Sequence, residues 1–126
     1  MPSVVKTRWL CLWQVRTKLN ELDIVNRAER QHLETVVLSK TAANPDYNQP
    51  PETQSLMLLF KMHGPNGVVL AITHHYLRRD GTSSPHDPKF VRVANEKWIP
   101  RPCNSKPCPD CKQWQQKAIQ TLSPRP

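Results

Sequence analysis

Residues Val5, Thr7, Trp9, Cys11, Trp13 and Val15 share one parity, and their β-branched and aromatic character predicts a strand over residues 4–15 with one large apolar face. Helical spacing follows. Leu19, Leu22, Val25, Leu33, Val36 and Val37 fall near an i, i+3, i+4 pattern, which predicts a helix over residues 18–40, with Arg30 and Glu34 placed for an i, i+4 ion pair on its polar face. Asn-Pro and Pro-Pro in TAANPDYNQPPETQ end that run and open a long connection.

The clearest hairpin comes next. SLMLLFKMH and VVLAITHHYLRR are strand-length apolar runs joined by GPNG. With an even-numbered turn, Leu56, Leu58, Phe60 and Met62 share a face with Val69, Ala71, Thr73, His75 and Leu77, and Met57, Leu59, Val68, Leu70 and Ile72 occupy the other. A short strand is expected at residues 89–93, extending toward Ile99, and a short helix from Asp110 to Leu122 in which Trp114, Ala118 and Leu122 repeat every four residues. The expectation is a small α+β domain with a mostly antiparallel sheet, one main helix and the order β-α-β-β-β-α. It divides into a core over residues 1–99 and a Pro/Cys-rich basic segment over residues 100–126.

Composition sharpens this picture. A chain of 126 residues holds one modest core, and 13 prolines lengthen its irregular connections. The net charge of +8 is unevenly spread: residues 1–77 carry eight Lys or Arg against six Asp or Glu, and residues 78–126 carry ten against four. Such a field attracts polyanions, chiefly RNA or DNA, and also acidic protein surfaces or anionic lipid; of the nucleic acids RNA is the favoured expectation. The N-terminus is broken by Lys6, Arg8, Gln14 and Arg16, so no secretory leader or membrane span is expected, and the chain reads as intracellular, in cytoplasm or nucleus. Reduced cysteines follow from that reading.

Cys103, Cys108 and Cys111 form C-x4-C-x2-C, a candidate structural zinc (Zn2+) site, because two thiolates of a CxxC turn toward one ion across a tight loop. A fourth ligand must come from elsewhere. His75 is preferred, with His74 and His86 as alternatives; adjacent strand residues point to opposite faces, so His74 and His75 do not chelate together. A redox CxxC is the weaker reading, since Pro109 and Asp110 give no positive charge to a thiolate.

No phosphate-binding glycine loop or nucleophile elbow is present, and three glycines leave little material for one. His32-Leu33-Glu34 and Pro107-Cys108-Pro109-Asp110-Cys111 resemble the two halves of the zinc-dependent nucleobase deaminase signature, with His and two Cys as metal ligands and Glu as proton carrier. Their wide separation departs from that pattern, which leaves an enzyme as the minority reading. The favoured expectation is a non-catalytic regulatory or accessory protein that binds nucleic acid through Arg78, Arg79, Lys89, Arg92, Lys97, Arg101, Lys106, Lys112 and Lys117, with Trp98 placed to stack on a base. The alternative is a protein–protein adaptor using its Trp and Pro residues, in the general manner of small basic viral accessory proteins.

Overall fold

The computed structural model describes residues 6–44 and 49–101. Its order is β1 (Lys6–Cys11), α1 (Leu12–Glu21), α2 (Ile24–Glu29), β2 (Glu34–Ala42), β3 (Gln54–Lys61), β4 (Val69–Leu77), β5 (Asp87–Val93) and β6 (Glu96–Arg101). The strands form one six-stranded sheet in the order β1-β6-β5-β4-β3-β2. Every pairing is antiparallel except β1 with β6. A mixed α+β fold with a mostly antiparallel sheet is therefore present. The expected β-α-β-β-β-α order is wrong, because two helices fall between the first two strands and five strands follow them.

Three local causes account for the difference. The first strand stops at Cys11, and Trp13 and Val15 belong to α1, where Val15 and Leu19 lie one turn apart and are both buried. The expected long helix breaks at Asp23, which takes a left-handed backbone with φ 55°. An aspartate tolerates that conformation better than most residues. Here its carboxylate accepts hydrogen bonds from Asn26 at 2.7 Å and Arg30 at 2.6 Å. Gln31, with φ 65°, turns the chain again after α2, and Thr35, Val36 and Val37 then enter β2. Arg30 consequently pairs with Asp23, and Glu34 with Lys61 at 3.4 Å, in place of the expected Arg30–Glu34 pair.

The predicted hairpin forms with the expected facing from Leu56 to Phe60, but a register shift between Phe60 and Lys61 sets Val69 opposite Lys61, and β3 ends before Met62, so neither Met62 nor Val69 continues the expected pattern. Leu56 faces His75, Leu58 faces Thr73 and Phe60 faces Ala71. Its loop needs glycine at position 67, where an added Cβ would lie 1.9 Å from the Met62 carbonyl oxygen. The extension toward Ile99 is a separate strand, reached through the tight turn at Ala94 and Asn95 between the paired Val93 and Glu96. Ala94 adopts φ 54° there.

Both helices lie on one side of the sheet. Val15 and Leu19 of α1, Ile24 of α2, and Leu33 pack with Phe60, Ala71 and Val91, which share that side by register. Arg16 fixes α1 to β5 through a 2.8 Å ion pair with Asp87. The helices stop short of β2. Val36, Val37 and Leu38 on this edge strand stay exposed, and the register shift between Val37 and Ser39 disturbs the edge that would otherwise template another strand.

Beneath the helices His75 and His86 stack at 4.2 Å, with Phe60 6.0 Å from His86 and Thr73 Oγ1 3.0 Å from His86 Nδ1. Burial, aided by the neighbouring His75, pushes His86 down to about 4. Burial and then His74 also lower His75. The unfolded chain therefore binds these protons at a higher pH than the folded chain does. Stability is fully present above the ordinary histidine value of 6.5 and is lost as pH falls from there toward about 4. After discounting for partial exposure the His86 contribution is about 1–2 kcal/mol. Urea midpoints measured from pH 7.5 to 4.5 should fall, and His86→Gln should flatten that decline.

Candidate nucleic-acid interface

On the side of the sheet away from the helices, cross-strand pairs line up in rows. Phe90 pairs with Ile72, Ile72 with Leu59, and Leu59 with Val36, so one apolar row crosses four strands. The next row contains Asp87, His74, Met57 and Ser39, followed by Tyr76, Ser55 and Thr41. At the other end, Arg92 pairs with Lys97, Lys97 with Thr7, and Ile99 with Trp9. Trp9 is 61% exposed. Among the described residues no helix packs on this face.

Two electrostatic details set this face apart from a merely solvated one. Arg92 and Lys97 are direct cross-strand neighbours, an arrangement of like charges that costs stability. Neither has an acidic partner among the described residues: the Arg92 guanidinium donates to the Ala94 carbonyl at 3.3 Å, and the Lys97 ammonium lies 5.7 Å from the centre of the Phe90 ring. Lys89 approaches Asp87 at 3.6 Å, and Asp87 is shared with Arg16.

At the β2–β4 end the face deepens into an open cavity of about 730 Å3, lined in part by Gln49, Ser55, Met57, His74, Tyr76 and Lys89. The Ser55 hydroxyl and His74 Nε2 are 2.6 Å apart, and the His74 and Tyr76 rings meet edge to face at 4.8 Å. Burial, with Lys89 adding to it and Asp87 opposing, lowers the His74 imidazole below its ordinary range. Ser55, His74 and Asp87 are the residue types of an acyl-transfer triad, and they stand on three neighbouring strands. Ser55 stands within β3 with Thr41 and Tyr76 as ladder neighbours, whereas an activated serine needs an exposed turn with free amides facing an oxyanion. The Asp87 carboxylate is directed to Arg16 and Lys89.

The expected site residues divide between several places. Arg92 and Lys97 come together on the open face, with Lys89 by the cavity. Arg78 and Arg79 lie beyond the end of β4, where Arg78 contacts Thr82 and Arg79 pairs with Glu52 at 3.1 Å. Arg101 ends β6, its guanidinium 3.7 Å from the Cys11 sulfur. Trp98 lies on the helix side, packed against the core, with Lys18 and Arg8 near its ring and its indole N–H donating to Glu96 at 3.2 Å. The aromatic groups on the open face are Trp9, Phe90, His74 and Tyr76. None was singled out for base stacking from the sequence, although the parity of Trp9 and the strand alternation around Phe90 carried the signal.

Cys103, Cys108, Cys111, Lys106, Lys112 and Lys117 lie outside the described residues, as does the expected Asp110–Leu122 helix. The remaining expected zinc ligand, His75, is on the helix side, and its Nδ1 is buried without a hydrogen-bond partner. Among the described residues no group of three or more metal-binding side chains converges, and no helix is long and apolar enough to cross a membrane. Compared with protein-family models, with curated proteins and with solved structures, the chain matches none.

Proposed function

We propose that the helix-free face binds single-stranded nucleic acid, RNA in preference to DNA, and that the protein acts by binding rather than by catalysis. The observation that carries this reading is the Arg92–Lys97 pair, without an acidic partner among the described residues, set among the aromatic side chains of a sheet face that no described helix covers. Cations hold phosphates without reading sequence, and aromatic rings stack on any base. A strand laid across β1, β6 and β5 places its backbone near Lys97 and Arg92 and offers Trp9 and Phe90 to its bases. Duplexes bury their base faces, so the same surface discriminates against them.

The test is fluorescence anisotropy with labelled single-stranded RNA, single-stranded DNA and duplexes of equal length. Single strands are expected to bind more tightly than duplexes, with affinity falling steeply as salt rises. Trp9→Ala should weaken single-strand binding by about 5–100-fold, the equivalent of roughly 1–3 kcal/mol for one stacked base. Equal affinity for single strands and duplexes, unchanged in Trp9→Ala, would refute the proposal.

A further inference from the structure

We infer that the cavity at the β2–β4 end of the open face takes one unstacked nucleobase. This rests on the reading of that face as a single-strand platform and goes beyond it: flat stacking gives affinity without position, whereas a base seated in a recess sets where along the strand the protein sits.

The cavity has the contents such a role needs. Its volume of about 730 Å3 lies within the roughly 300–1,000 Å3 typical of small-molecule sites. Met57 and the edge-to-face rings of His74 and Tyr76 offer flat, polarisable surface to a heterocycle. The polar groups are placed for a base edge. Gln49 lines the cavity, and its Oε1, turned away from solvent, has no hydrogen-bond partner. A rotation of the Gln49 amide toward the cavity lets that unpaired oxygen accept an N–H of a bound base. Ser55 and His74, 2.6 Å apart, exchange donor and acceptor roles with the imidazole tautomer, so together they match either pattern on a base edge. Lys89 supplies the cation for the attached phosphate, while the negative charge of Asp87 is engaged by Arg16 and Lys89.

Free nucleotides and bases of a nucleic-acid strand share this chemistry, and the experiment separates them. The four nucleoside 5′-monophosphates and ribose 5-phosphate are titrated into the full chain by NMR, following the His74 and Tyr76 ring signals, and each is then tested as a competitor of labelled single-stranded RNA. At least one mononucleotide is expected to bind about tenfold or more tightly than ribose 5-phosphate and to compete with RNA. Gln49→Ala, in a connection outside the core, should reduce that preference at least threefold with no loss of melting temperature. Ribose 5-phosphate binding as tightly as every mononucleotide would make the cavity a phosphate site and overturn the inference. RNA binding without any mononucleotide response at His74 or Tyr76 would overturn it too, leaving the platform intact. Mononucleotide binding in a protein that binds no RNA would uphold the base site and remove the platform reading.

Discussion

Replacing Arg92 and Lys97 together by glutamate is expected to weaken single-stranded RNA binding by at least about tenfold, with little change in melting temperature. Each cation that neutralises a phosphate on a single strand contributes roughly 0.7 to the slope of log affinity against log salt concentration. Losing both should therefore make the slope shallower by about 1.4. Stability should hold or rise slightly in the single variants Arg92→Glu and Lys97→Glu, because each converts an unfavourable cross-strand pair into a favourable one. A purely structural role predicts the reverse combination, lower stability with an unchanged salt slope. Salt-dependent anisotropy and thermal melting on the same preparations decide between them.

The largest effect on folding is expected at Phe60. Its side chain is 2% exposed and lies where β3, the two helices and the stacked histidines meet. Phe60→Ala removes buried apolar surface and leaves a cavity that the sheet, held by β2 on one side and β4 on the other, cannot close by shifting one strand. The expected loss is about 3–5 kcal/mol, a large part of the roughly 5–15 kcal/mol that stabilises a domain of this size. Urea unfolding followed by tryptophan fluorescence measures it. A loss below about 1 kcal/mol would mean that the core is not centred on this ring.

The β3–β4 pair is legible in the sequence as two apolar strand-length runs around GPNG, but Met57 and Leu59 make the second face as apolar as that of Leu56, Leu58 and Phe60, so alternation alone leaves the register to the turn, and the shift after Phe60 is invisible in it. The region before it was misread because apolar residues at helical spacing run through Leu19, Leu22, Val25, Leu33 and Val36 without a glycine or proline to interrupt them. The interruptions are Asp23 and Gln31 in left-handed conformations; aspartate adopts that conformation more readily than most residues, but its presence within a helical pattern does not by itself mark a break. Asp23 is recognisable once Asn26 and Arg30 are seen to hold its carboxylate. The β-branched run at Thr35, Val36 and Val37 was the available warning of a strand.

For the candidate site, charge was legible and its sorting onto faces was not. Lys89, Arg92 and Lys97 are expected binding residues, but Trp98 is not the stacking group that the sequence offers. One residue of strand parity separates it from that role: Trp98 faces the helices, while Lys97 and Ile99 face the open side. The cavity was illegible because Gln49, Ser55 and His74 come from three separate segments that only the sheet brings together.

The parallel pairing of Lys6–Cys11 with Glu96–Arg101 imposes an order of assembly. Lys6 meets Glu96 across 90 residues of chain, and at a synthesis rate of about 5–20 residues per second the first strand waits roughly 5–20 s for its neighbour to be made. The β2–β3–β4 meander has no such delay, since each strand pairs with the next one synthesised. The meander is therefore available as the early scaffold, and closure of β1 against β6 is the late step that completes both the sheet and the Trp9 end of the binding face.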